Sequence, residues 1–171
     1  MSEAIGTAMR NAVAYLRDHR DEARYTDSPA TARVESGLKM QVEGPDGAAV
    51  TTDMPTGIGG GNSAPSPGWL MRAAQASCEA TLIALRAAFE GVELANLEVT
   101  VDSESDDYGI LGIDDSVPAG PLSARVQVKV AAASDTSEEQ LRSIVHWAHE
   151  HCPVSDAIVR AVRTSLSVEV V

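Results

Sequence analysis

Residues 66–90 read SPGWLMRAAQASCEATLIALRAAFE, and this stretch decides the fold. Ser66 followed by Pro67 supplies an N-cap and then a proline at the first helical position, where its missing N–H costs nothing. Within the body that follows, charge falls only at Arg72, Glu79 and Arg86, with Gln75 and Glu90 beside them. Leu70, Leu82, Ile83 and Leu85 share the remaining faces with a run of alanines. A helix wetted along one seam is a central, mostly buried helix, and Glu79 is expected on the wet seam.

Outward from this helix the pattern changes. Upstream, Gly57 to Pro67 is a glycine-rich loop. Before it, Ala32 and Val34 alternate with Arg33 and Glu35, and Leu38, Met40 and Val42 alternate with Lys39, Gln41 and Glu43. Gly44-Pro45-Asp46-Gly47 is a strong turn signal, so residues 48–53 are expected to return as a further strand. At the start of the chain, Ile5, Met9, Ala12, Val13 and Leu16 mark an amphipathic helix. The division expected is residues 1–29, helix and linker, and residues 30–171, the domain proper.

Downstream, Leu97, Val99 and Val101 alternate with polar residues, and so do Leu122, Ala124, Val126, Val128 and Val130. One-sided alternation indicates antiparallel sheets with one face on the core. An acidic, glycine-containing excursion, Ser103 to Pro121, lies between these strands. Ser134 to Ser137 caps a helix expected over 138–151, Pro153 interrupts it, and a short helix should run from Val154 to Arg163 with Ser155 as its cap. Leu166, Val168 and Val170 then alternate with Ser165, Ser167 and Glu169, which predicts a final strand. Strands, long helix, strands, helices and strand make an α+β order rather than regular βαβ alternation.

Composition narrows the function. Hydrophobic residues make up 44% of 171 and aromatics only 4%, so the core must rely on small and aliphatic side chains. Such a core gains from burying surface against a second copy. The formal net charge of −12 disfavours nucleic acid and anionic membrane surfaces as partners. No window of about 18 apolar residues is present, so no membrane span is expected. Met1 to Ile5 lack a basic start followed by an apolar run, so a cytoplasmic location is expected. In a reducing compartment, a disulfide between the two cysteines would be transient and chemical.

Cys78 lies mid-helix at the border of the wet and dry faces. It reads either as a small core residue or as a reactive thiol. Cys152 stands before Pro153, where a helix stops, and its side chain is expected to be accessible. The helix start near Val154 points back at it and favours a thiolate. His146, His149 and Cys152 are close enough in sequence to raise a metal site, but no Cys-x-x-Cys or His-Glu-x-x-His completes one. The histidines fit better as cationic residues at a helix C-terminus. Gly57 to Gly61 lacks the ending of a P-loop and the spacing of a dinucleotide fingerprint, and no nucleophile elbow is present. No cofactor is implied. Thiol chemistry is the specific option left.

Three segments together resemble the OsmC/Ohr family. They are Asn62-Ser63-Ala64-Pro65-Ser66-Pro67-Gly68-Trp69-Leu70 leading to Ala76-Ser77-Cys78; His151-Cys152-Pro153-Val154-Ser155; and Gly109-Ile110-Leu111-Gly112-Ile113-Asp114. The similarity covers residues 30–171. It implies an OsmC-like fold, antiparallel sheets wrapped around long central helices in an intertwined homodimer, with active sites at the interface. It further implies that Cys78 reduces a small organic hydroperoxide and becomes a sulfenic acid. Cys152 would condense with it to a disulfide, which an external dithiol reduces. The family's peroxidases place an Arg and a Glu beside the first cysteine. Here Gly68 stands at the Glu position, and Leu38 and Lys39 near the Arg position. Lys39 offers charge without the bidentate fork. The alternative is therefore a dimeric OsmC-fold protein binding a small apolar or electrophilic ligand, with little or no peroxidase activity.

Overall fold

The hydroxyl of Ser66 accepts from the N–H of Trp69 at 3.2 Å, and α2 (Pro67–Phe89) starts where its cap and proline require. It ends on Gly91, whose φ of +76° suits glycine alone, with Val92 N–H on the carbonyl of Ala87 and Gly91 N–H on that of Ala88. This computed structural model describes residues 2–133, 135–160 and 162–170. The chain divides into two compact units, Arg10–Ala74, and Gln75–Val171 with Met1–Met9. Helix α1 (Ser2–Asp18) opens the chain as its apolar spacing predicts.

In the first unit, β1 (Thr31–Ser36), β2 (Lys39–Glu43) and β3 (Ala49–Thr52) form an antiparallel sheet in that order. Val42 stands opposite Val50 and Met40 opposite Thr52. The glycine-rich loop then folds back on the end of β3. A Cβ at Gly60 would lie 1.9 Å from the carbonyl oxygen of Met54, so only glycine fits that approach.

Asp53, 3% exposed, organises the same loop. Its carboxylate accepts from the N–H groups of Met54, Gly61 and Ser63 and from the Ser63 hydroxyl. These donors, led by Ser63, hold its pKa at about 2, below the ordinary 3.8. A depressed folded pKa stabilises the fold above the unfolded value, and that contribution is lost as pH falls through 3.8 towards about 2. Asp53→Asn should therefore melt lower than the parent at neutral pH and show a shallower loss of Tm between pH 4 and 2. Parallel melting curves across that range check it.

In the second unit, β4 (Leu94–Glu104) and β5 (Ser123–Ala132) pair antiparallel, with Leu97 opposite Val130, Val99 opposite Val128 and Val101 opposite Val126. A single turn, α3 (Asp107–Ile110), interrupts the acidic excursion between them. Helix α4 (Glu138–Glu150) is capped by Ser137, whose hydroxyl accepts from Gln140 N–H, and α5 (Pro153–Val159) follows Pro153. Ile83, Ala87, Val92, Ile144 and Ala148 make the core, with Leu97, Val99, Val128 and Leu141 packed against it. The guanidinium of Arg86 lies 4.6 Å from the Trp147 ring centre and ties α2 to α4.

Three expectations are corrected. Residues 162–170 form no strand, and Leu166, Val168 and Val170 are 89%, 74% and 92% exposed. Alternation alone makes no strand without a neighbour to share its backbone hydrogen bonds, and none of the described residues supplies one to that segment. The short helix ends at Val159 rather than Arg163. Glu79 is not on a wet seam: Gln75, Glu79, Ile83 and Ala87 are the buried face of α2.

Candidate active site

Helix α2 carries Cys78 at mid-length, half-buried, and the α4–α5 junction carries Cys152, fully buried. Both are free thiols, and their side chains lie close enough to act on one another. The structure therefore brings the two sequence-predicted site residues together. Pro153 explains how. It stops α4 and starts α5, so Cys152 takes an extended conformation, φ −74° and ψ 114°, as the N-cap of α5. Its sulfur accepts the N–H of Ser155 at 3.5 Å. The cap is thus Cys152 and not Ser155, and the side chain expected to be accessible is turned inward. A cap must face the first turn of its helix, and here that turn faces the core.

The N–H of Val154 donates to the Cys78 sulfur, so the start of α5 addresses both thiols. This bond favours the thiolate, but burial outweighs it and pushes the Cys78 thiol above its ordinary value. The contact with Cys152 and the charge of Glu79 push the same way.

Around the sulfurs lies a polar network that sequence reasoning missed. Glu79, 1% exposed, accepts the Ser155 hydroxyl at 2.6 Å and meets His149 Nδ1 at 2.8 Å. Since Ser155 spends its hydrogen on Glu79, the amide of Gln75 must donate to it, and Nε2 does so at 3.0 Å. Gln75 Oε1 is left buried with no hydrogen-bond partner among the described residues. One signal pointed here: Gln75 and Glu79 stand in steps of four with Ile83 and Ala87, which puts them on an apolar face.

The remaining candidates lie apart. His149 sits on Glu79, whereas His146 lines a groove of about 600 Å³ with Val126, Val128, Val130, Leu141 and Val145. His151 stacks on Trp147 and bonds its carbonyl. Among the described residues, no group of three or more His, Cys, Asp or Glu side chains is placed to hold a metal ion. Lys39 is paired with Glu35 at 2.8 Å in the β1–β2 hairpin, and Gly68 occupies the first turn of α2. No described helix is long and apolar enough to cross a membrane.

Comparison with known proteins agrees with this architecture. Solved structures share the fold. An OsmC-like protein from Mycoplasma pneumoniae superposes with a TM-score of 0.67 at 14% identity, over 81% of this chain and 91% of that one. An organic hydroperoxide resistance protein OsmC from Legionella pneumophila gives 0.57 at 24%, over 79% and 90%. One from Vibrio cholerae described in the same terms, with captopril bound in one of its active sites, gives 0.51 at 26%, over 78% and 86%. No curated protein sequence matches. The sequence profile of the OsmC-like proteins matches residues 60–167, well over half of the chain and including both cysteines. The chain belongs to the OsmC-like protein family.

Proposed function

We propose that this chain is a thiol-dependent peroxidase that reduces small organic hydroperoxides through Cys78 and Cys152. The observation that carries the reading is the contact between two free thiols distant in sequence and joined across α2 and the α4–α5 junction. Cys78, the less buried sulfur, is the one an incoming hydroperoxide meets, and its thiolate attacks the distal oxygen to give a sulfenic acid and an alcohol. Cys152 condenses with the sulfenic acid, water leaves, and an external dithiol returns the disulfide to two thiols. Relatives named as organic hydroperoxide resistance proteins support the same reading.

The working form is read as a homodimer. The alternating tail segment pairs with none of the described residues, and Val34, Leu166 and Val168 are large apolar side chains left exposed. A second copy would supply partners for both.

One equivalent of cumene hydroperoxide should convert the reduced chain to a species about 2 Da lighter, the mass of the two lost thiol hydrogens. Peptide mapping should join Cys78 to Cys152, and the same preparation should sediment at twice the 17.9 kDa chain mass. An unchanged mass with both thiols still titratable would overturn the peroxidase reading. One observation favours the alternative of a ligand-binding protein with little turnover: burial pushes the Cys78 thiol up, away from the thiolate. Cys78 alkylation that rises only above about pH 8, together with no consumption of hydroperoxide and dithiol, would select it.

A further inference from the structure

Four side chains from α2, α4 and α5 form a hydrogen-bonded network beside the two sulfurs that reaches solvent at His149, and none of them has a part in the cycle above. His149 is 52% exposed at its side chain, yet its Nδ1 lies 2.8 Å from the buried carboxylate of Glu79. Ser155 holds the same carboxylate oxygen through its hydroxyl and the Cys152 sulfur through its N–H. Gln75 fixes the Ser155 hydroxyl. A carboxylate at 1% exposure, next in sequence to a nucleophile it repels, is an arrangement that core packing disfavours. Its burial here calls for a use. The unpartnered Gln75 Oε1, one turn before Cys78, adds a buried acceptor that an O–H arriving at this centre would complete.

We propose that this network handles the protons of the dithiol, with Glu79 and His149 acting as one proton-carrying couple between the sulfurs and solvent, and Ser155 and Gln75 holding the carboxylate in place. The inference rests on the peroxidase reading and extends it. In the first step the Cys78 thiol gives its proton to the couple, leaving thiolate and imidazolium. The sulfur attacks the distal oxygen of the hydroperoxide, the O–O bond breaks, and the departing alkoxide takes the proton and leaves as alcohol. In the second, Cys152 gives its proton to the couple, its sulfur displaces hydroxide from the Cys78 sulfenic acid, and that hydroxide takes the proton and leaves as water. Two thiols are oxidised to a disulfide, one hydroperoxide is reduced to alcohol and water, and no net proton is gained or lost.

Within this unit the titratable neighbours of the couple are Cys78 from α2 and Cys152 from the α4–α5 junction. The other charged groups near these helix ends face elsewhere: Glu150 is exposed, His151 is on Trp147, and Asp156 is on Arg160. Glu79→Gln and His149→Gln keep one hydrogen bond each while removing the group that carries the proton. Stopped-flow oxidation of the reduced full-length protein by cumene hydroperoxide, from about pH 5.5 to 9, reads the effect. Both variants should slow disulfide formation by about 100-fold near neutrality and lose the low-pH limb of the profile, with melting curves close to the parent. Imidazole added to His149→Ala should restore much of the rate, because that side chain is open to solvent. Variants within about twofold of a reactive parent at every pH, or slow variants that imidazole leaves unrescued, would overturn the proton-handling role and leave the peroxidase reading standing. A parent chain that forms no disulfide at all would overturn both.

Discussion

Cys78→Ser is expected to abolish hydroperoxide reduction. Consumption of cumene hydroperoxide under excess dithiol should fall by at least about a thousandfold, because the serine hydroxyl stays protonated at neutral pH and forms no sulfenic acid. Cys152→Ser is expected to behave differently. Cys78 still reacts once, but its sulfenic acid has no internal thiol to condense with, so it persists and is trapped by a 1,3-diketone. Turnover then depends on the external dithiol attacking a half-buried centre. The assignment of roles follows from exposure: Cys152 is fully buried and its sulfur already accepts the Ser155 N–H, whereas Cys78 is open on one side. The measurement that decides it is the diketone adduct. An adduct on Cys152 in the Cys78→Ser protein would reverse the roles, and undiminished turnover in that variant would remove Cys78 from the mechanism.

The largest effect on stability is expected from Ile144→Ala. Among the described residues, Ile144 and Ile83 are the two large aliphatic side chains with no exposure at all, and the rest of the buried cluster is Ala87, Val92 and Ala148. Alanine cannot refill the space left by an isoleucine, and neighbours held on two helices and a sheet relax only in part. A loss of about 3 kcal/mol follows, roughly a 10 °C fall in Tm for a chain of this size. Against a total of roughly 5–15 kcal/mol, that is a large share. Ile144→Val, one methyl smaller, should cost about 1 kcal/mol. Ile83→Ala should resemble Ile144→Ala, and the double variant should lose other than the sum of the two, since both line one cluster. Urea unfolding of the set checks it, and an Ile144→Ala protein within about 0.5 kcal/mol of the parent would show that the core lies elsewhere.

Local patterns told most of the backbone. Ser66-Pro67 and Gly91 bound α2 because capping and a positive φ are properties of a few adjacent residues. The turn at Gly44–Gly47 and the alternation on either side produced the β2–β3 hairpin for the same reason. The tail shows the limit of such patterns. Leu166, Val168 and Val170 alternate as well as any strand in the chain, but a strand is completed by another strand's N–H and C=O groups, which its own sequence does not contain.

By itself, then, the sequence determined an α+β chain of the OsmC-like kind and the places of most of its helices and paired strands, and it singled out two cysteines as candidates for its chemistry. Tertiary structure alone decided which face of α2 is buried, that Cys152 turns inward onto Cys78, and that Gln75, Glu79, His149 and Ser155 meet around them. The physical reason lies in solvation. A carboxylate such as Glu79 belongs in water unless donors replace the water, and its donors, Ser155 and His149, arrive from helices that follow it by some seventy residues. No local periodicity carries that information, so a charge read as wet became the buried centre of the site.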